Sequence, residues 1–290
     1  MEKSKVLGHI FAIITILVWG SCFVLTKNLL VYFTPIQIIP LRMGLAYITL
    51  WALRPKTLKL PWKDELMFIL IGITGGSFYF YLQNTALDHT YAANVSILVA
   101  LSPILTVLLA QLFSRSNERL GKYVYIGAVI AIAGVVLVVL NGALVLKLSP
   151  VGDLLAFLAA ASWACYSVLI KRLSGRVDST LLARRVILYG AVTSVPLLAA
   201  RGELSIDFTP LAQPKPLFCI LFLAVLGSAV CFAVWNVVID RLGVVHANNY
   251  IYLQPFITIV VSHFLLGEPM SWTAIVLSLI HISEPTRPEP

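Results

Sequence analysis

Apolar residues fall in long unbroken blocks separated by short polar or basic breaks, and they do not alternate with polar ones. The blocks lie near Leu7–Thr26, Ile36–Leu53, Leu66–Leu87, Ala92–Phe113 and Tyr123–Leu140, then near Gly152–Lys171, Leu181–Ala199, Leu217–Ile239, Ala247–Leu266 and Trp272–Ile282. Roughly 20 apolar residues in a helix cross the hydrocarbon of a bilayer. In lipid every backbone N–H and C=O must be satisfied internally, by helices or by a closed barrel, and barrel strands would alternate apolar and polar residues. The pattern predicts an all-α integral membrane protein with ten transmembrane helices and no soluble domain. The tenth block is short. Its eleven residues, Trp272–Ile282, would rise about 16 Å, roughly half a bilayer. Pro285, Pro288 and Pro290 follow it closely, and a helix cannot continue through them in lipid. The tenth helix is therefore expected to be truncated. The string Leu279–Pro288 reads as translated sequencing-adapter sequence, so residues 283–290 are expected to be non-native and the native chain to continue past about Leu277.

Composition sharpens this reading. Of 290 residues, 59% are hydrophobic and only 12% charged, half the charged share of a soluble domain. The mean hydropathy is +0.92. A net charge of +8 would suit a nucleic-acid partner only if the basic residues shared one soluble face. They lie instead between the apolar blocks, so membrane lipids and no nucleic acid are the expected partners. With the N-terminus in the cytoplasm, sixteen of the 21 Lys and Arg residues fall on the inner side. Four, namely Lys27, Lys147, Arg201 and Lys215, fall on the outer side, and Arg42 lies within a block. Positive residues favour the cytoplasmic face, which sets a cytoplasmic N-terminus in the cell membrane. Cys22, Cys165, Cys219 and Cys231 all lie in apolar blocks without metal-ligand spacing. They read as packing residues, and neither a metal nor a cofactor is expected.

The chain also repeats itself. Trp19-Gly-Ser-Cys-Phe-Val-Leu-Thr-Lys27 aligns with Trp163-Ala-Cys-Tyr-Ser-Val-Leu-Ile-Lys171, 144 residues on, and Leu101-Ser-Pro103-Ile-Leu-Thr106 aligns with Leu253-Gln-Pro255-Phe-Ile-Thr258, 152 residues on. The extra eight residues fit the longer break at Arg201–Pro216. The expected units are 1–145 and 146–282, each of five helices. An odd number per unit turns the second copy over relative to the first. Inverted repeats are a common architecture of alternating-access transporters, with the substrate at their interface.

With these features on the page, the chain resembles the drug/metabolite transporter superfamily, and within it the EamA-type permeases. The resemblance covers nearly the whole chain. It is carried by Trp19–Lys27, Arg42, Ala92–Pro103, and Leu253-Gln254-Pro255 followed by Leu266-Gly267-Glu268. It implies a ten-helix fold, a central cavity lined by helices 1–4 and 6–9 with the fifth and tenth at the periphery, and transport of small metabolites, often amino-acid export. Members commonly carry Glu where this chain has Gln254.

Candidate site residues follow from the cost of burying polarity. Arg42 lies within the second block. A buried charge there either meets an anionic group or a gate, or clamps helix-end carbonyls. Lys27 and Lys171 end their blocks and are expected to snorkel to the interface. No Asp or Glu falls near the middle of a block, which argues against a proton relay and for facilitated diffusion or exchange. The cavity candidates are Trp19, Arg42, Tyr79, Gln83, Asn84, Asn94, Trp163, Tyr166, Asn236, Asn248 and Tyr252. Their amides could bond both ends of a zwitterion, with the aromatics as an apolar wall; hydrogen bonding between helices is the competing use of Asn and Gln. Pro103 and Pro255 would free carbonyls and act as hinges.

The expected function is secondary transport of a small-molecule substrate, with amino-acid export as the first candidate, by alternating access. No Gly-x-x-x-x-Gly-Lys-Ser/Thr phosphate loop occurs, which disfavours primary pumping. A carrier of phosphorylated or nucleotide-linked sugars would need several deep basic residues, and only Arg42 qualifies. An enzyme would need clustered acids, histidines or cysteines. A lipid-handling or structural role is disfavoured by the repeat.

Overall fold

The computed structural model describes residues 2–57, 61–113 and 149–269. The expected fifth and tenth helices and the tail 283–290 lie outside the described residues. The described chain is helical throughout, without strands. It forms eight rods: α1 (Glu2–Leu29), α2 (Ile38–Leu53), α3 (Trp62–His89), α4 (Ala92–Leu112), α5 (Pro150–Lys171), α6 (Ser179–Ala200), α7 (Pro214–Leu242) and α8 (Val244–Leu266). All but the 16-residue α2 are long and apolar enough to cross a bilayer. The protein is an all-α, multi-pass membrane protein.

Each rod coincides with an expected block and most run a few residues further. The extension comes from capping chemistry that an apolar pattern does not register. Ser149 accepts a hydrogen bond from the Gly152 N–H and Pro150 opens α5. The Asp178 side chain caps the N–H groups of Thr180 and Leu181 at the start of α6. These satisfy donors that the first helical turn leaves without partners. Gly243, at φ +81°, lets α7 stop and α8 begin within one residue.

Four rods are irregular inside. α3 takes a π-helical turn at Ile73–Ser77, and α7 a π-helical stretch at Phe222–Val230. α4 breaks at Ala100–Leu101, just before Pro103. α8 passes through a 3-10 turn at Tyr250–Leu253 just before Pro255. Proline lacks an N–H and fits the first turn of a helix, so each proline starts a new helical piece. Pro103 and Pro255 thus stand at breaks, where hinges were expected.

Packing runs mainly between the first four rods and the last four. α1 lies against α7 and α8, α2 against α6 and α7, α3 against α5 and α6, and α4 against α5 and α8. At the α3–α6 crossing Gly76 meets Gly190, and a methyl on Gly76 would come within 2.7 Å of the Gly190 Cα. Small residues at such crossings let helix backbones approach closely.

Candidate functional site

Away from the rod ends, side chains from every rod except α6 enclose a cavity. Its wall consists of Trp19, Cys22 and Phe23 from α1, Arg42 from α2, and Tyr79, Phe80 and Gln83 from α3. Val99 and Ser102 come from α4, Trp163 from α5, Phe232 from α7, and Ile251 and Gln254 from α8. The empty volume, counting space at the mouth, is about 390 Å³, while the core open to the centre of a water molecule is about 20 Å³. A core of that size holds about one water, so in this conformation the site is constricted.

The wall is largely aromatic. Trp19 and Trp163, the pair aligned by the repeat, meet edge to face with centroids 5.2 Å apart. Tyr79 lies 5.1 Å from Trp163, and Phe232 lies 5.9 Å from Trp19 and 6.0 Å from Trp163. Such offset and edge-on pairs are the favoured arrangements of ring quadrupoles. The Trp19 indole N–H donates to the Gly227 carbonyl at 2.8 Å. The Trp163 indole N–H has no partner among the described residues.

Among the described residues, Arg42 is the one charged member of the wall, and it is 2% exposed. Its Nε donates to Ser228 Oγ at 2.5 Å, and the guanidinium lies 4.1 Å from the Phe80 ring centroid. Gly227 makes room beside it: a methyl there would come within 2.6 Å of Cys22 Sγ and 3.4 Å of Arg42 Nη2. Among the described residues, no carboxylate lines the cavity.

Of the residues picked from the sequence, Trp19, Arg42, Tyr79, Gln83 and Trp163 meet at this cavity. The others take up places outside its wall. Asn84 Nδ2 donates to the Pro35 carbonyl at 2.9 Å, tying α3 to the α1–α2 connection. Asn236 Nδ2 donates to the Ser179 carbonyl at 3.3 Å, tying α7 to the start of α6. Asn94 Nδ2 donates to Thr90 Oγ1 at 3.0 Å, and Asn248 Oδ1 accepts from Ser167 Oγ at 3.5 Å. Tyr166 is buried beside Trp163, at 4.7 Å between centroids, and Tyr252 is buried on α8. The wall residues not picked are chiefly apolar. One signal could have found Phe232: it follows Phe80 by 152 residues, the spacing of the proline motifs.

Lys27 differs from the snorkelling expected of it. Its Nζ donates to the Thr90 carbonyl at 2.6 Å and pairs with Glu268 at 3.0 Å. Glu268, 5% exposed, also accepts from the backbone N–H groups of Ala92 at 2.9 Å and Ala93 at 3.3 Å. A carboxylate at a helix N-terminus meets unsatisfied donors and the positive end of the helix dipole, so this cluster binds α1, α4 and the end of α8 together.

The sequence model of the EamA-like transporter family matches this chain twice, over residues 6–140 and 150–283. An uncharacterized transporter of Archaeoglobus fulgidus is 26% identical over 274 residues, covering 92% of both chains. The uncharacterized transporter YyaM of Bacillus subtilis is 28% identical over 91% of this chain and 87% of its own. A probable terminal-alkyne amino-acid exporter of Streptantibioticus cattleyicolor is 27% identical over 92% of this chain and 88% of its own. A solved crystal structure at 21% identity superposes with a TM-score of 0.69, covering 96% of this chain and 94% of that one, which fixes the fold. The chain belongs to the EamA-like transporter family.

Proposed function

We propose that the protein is a secondary transporter that moves small organic metabolites across the cytoplasmic membrane by alternating access, with its N-terminus in the cytoplasm. Amino acids are the first candidates, in keeping with the exporter among its relatives. We also propose a fold of two five-helix units, 1–145 and 146–282, inserted in opposite senses, the fifth and tenth helices being peripheral.

The observation that carries this reading is the position of the cavity. It lies away from the rod ends and takes its wall from both parts of the chain, with Trp19 and Trp163 in contact across it. Paired contacts support the repeat. Asn84 bonds the Pro35 carbonyl and Asn236 bonds the Ser179 carbonyl. The two amides are 152 residues apart and the two carbonyls 144, the spacings already present in the sequence motifs. Gly75 is overlaid by Tyr166, and Gly227 by Cys22, at those same two spacings. Thr106 bonds the Ser102 carbonyl as Thr258 bonds the Gln254 carbonyl. Related units of this kind give a molecule two packings of similar energy, one open to each face. A carrier of phosphorylated or nucleotide-linked sugars fits less well, because a phosphate dianion calls for more than one buried cation and among the described residues the wall offers Arg42 alone.

Cys22 lines the cavity and gives a test. With Cys165, Cys219 and Cys231 replaced by Ala, a membrane-impermeant maleimide should label Cys22 from either face of oriented vesicles, and substrate should slow both reactions. Labelling from one face only, under all conditions, would rule out alternating access.

A further inference from the structure

Among the described residues, the buried guanidinium of Arg42 has no counter-charge. The ion pairs among the described residues are Lys27–Glu268, Arg54–Asp178, Arg185–Glu65 and Arg201–Glu203, so none reaches it. A buried cation that lacks a partner is costly, and in membrane proteins such groups pair with one another or line a path for something that pairs with them. Of its five N–H donors the Nε–H is used, by Ser228. The terminal nitrogens remain, arranged as the fork that fits a carboxylate with two parallel bonds. Gly227 keeps the space beside Nη2 open.

The rest of the wall points the same way. Trp163 Nε1 is buried and without a partner among the described residues, and an indole nitrogen only donates. Gln83 Oε1 is likewise buried without a partner among the described residues, and its amide can turn to present either oxygen or NH₂. The cavity thus offers donors and a positive charge, and it calls for an occupant rich in acceptors. One cation suits one negative charge. The surrounding rings of Trp19, Trp163 and Phe232 suit an apolar body.

Resting on the transporter reading above, we propose that Arg42 anchors a carboxylate of the transported molecule, which makes the substrates small organic acids with one carboxylate and an apolar body. The substrate then supplies the counter-charge that the described residues do not, and the empty cavity carries a positive charge that the loaded one does not. A zwitterionic amino acid and its deaminated acid share the recognised chemistry.

Quenching of intrinsic tryptophan fluorescence can report binding, because Trp19 and Trp163 line the site. The full chain in nanodiscs would be titrated with phenylacetate, phenylalanine, phenylethylamine and phenylacetamide, and with the isobutyl counterparts of all four. The wild-type protein should bind at least one carboxylate-bearing member of a series at least tenfold more tightly than the amine or the neutral amide of the same body. Binding of phenylalanine without phenylacetate would identify the zwitterion as the source, and the reverse the simple acid. Arg42→Gln should remove the carboxylate preference and Arg42→Lys should retain part of it, whereas a purely structural Arg42 would lower stability and leave the preference intact. Should Arg42→Gln fail to fold, the wild-type series decides alone. Equal binding of all members, preference for the amine, or no carboxylate binding in either series would overturn the proposal. Selective carboxylate binding without flux would count against transport and not against the anchor. Flux of amines or amides unaffected by Arg42→Gln would count against the anchor and not against transport.

Discussion

Glu268 invites a quantitative test, because one side chain holds three elements. Its carboxylate takes the Lys27 ammonium at 3.0 Å and the N–H groups of Ala92 and Ala93, while Lys27 also bonds the Thr90 carbonyl. Glu268→Gln keeps nearly the same shape and one acceptor oxygen. It removes the charge facing Lys27 and leaves one N–H at the start of α4 without its acceptor. Hydrogen bonds to a charged group contribute about 1.5–3 kcal/mol each, and a partly buried charge at a helix terminus adds up to about 2 kcal/mol. Lys27 is 26% exposed, so its surroundings recover part of the loss, and the amide recovers part of the rest. A net cost of about 2 kcal/mol follows, about a 30-fold change in the folding equilibrium. Unfolding of the purified protein in mixed detergent micelles, titrated with SDS and followed by circular dichroism, measures it. A double-mutant cycle with Lys27→Met should return a coupling of at least about 1 kcal/mol. A shift below about 0.5 kcal/mol for Glu268→Gln, within the range of ordinary surface changes, or no coupling to Lys27, would refute the assignment of this cluster as a clamp on α1, α4 and α8.

Other expectations are simpler to state. Gly227→Ala should reduce substrate affinity at least about tenfold, roughly 1.4 kcal/mol, because the new methyl intrudes on Cys22 and Arg42 Nη2; unchanged affinity in a binding titration would show that the space beside the guanidinium is not used. Flux should not depend on an imposed pH gradient between about pH 6 and 8, since among the described residues neither a His nor a carboxylate lines the cavity, and these are the groups that usually relay protons through membrane proteins; a strict requirement for the gradient in vesicles would contradict this. Asn84→Ala and Asn236→Ala should each cost about 1 kcal/mol of stability, the net worth of one lost hydrogen bond to a backbone carbonyl, and leave substrate affinity within twofold. A large affinity loss with normal stability in either would move that amide into the site.

The helices were legible because in lipid the apolar run and the helix are nearly the same object. All eight described rods stand where blocks of apolar residues predict them. The residues that the blocks omit are caps, such as Ser149 and Asp178, which are polar and lie at the ends. The site was legible in part. Trp19 and Trp163 stand out because the repeat aligns them, and Arg42 because a charge within an apolar block is rare. The amides Asn84 and Asn236 look alike in sequence whether they bind substrate or tie a helix to a loop, and three-dimensional placement alone separates these uses. Phe23, Val99 and Ile251 face the cavity yet are indistinguishable from lipid-facing residues in a block that is apolar all round. The partner of Lys27 was hidden for another reason: Glu268 lies 241 residues away, and only the packing of α8 against α1 brings the two together.

The central claim is that this cavity carries a solute across the membrane without an external energy source. Counterflow measures that most directly. Proteoliposomes containing only the purified chain would be loaded with unlabelled small organic acids, amino acids included, and diluted into trace labelled solute without ATP or an ion gradient. The account predicts transient accumulation of label above equilibrium for at least one carboxylate-bearing solute, abolished by Arg42→Gln. Label entering no faster than in protein-free vesicles across the whole panel, or equally fast whether the vesicles are loaded or empty, would contradict it.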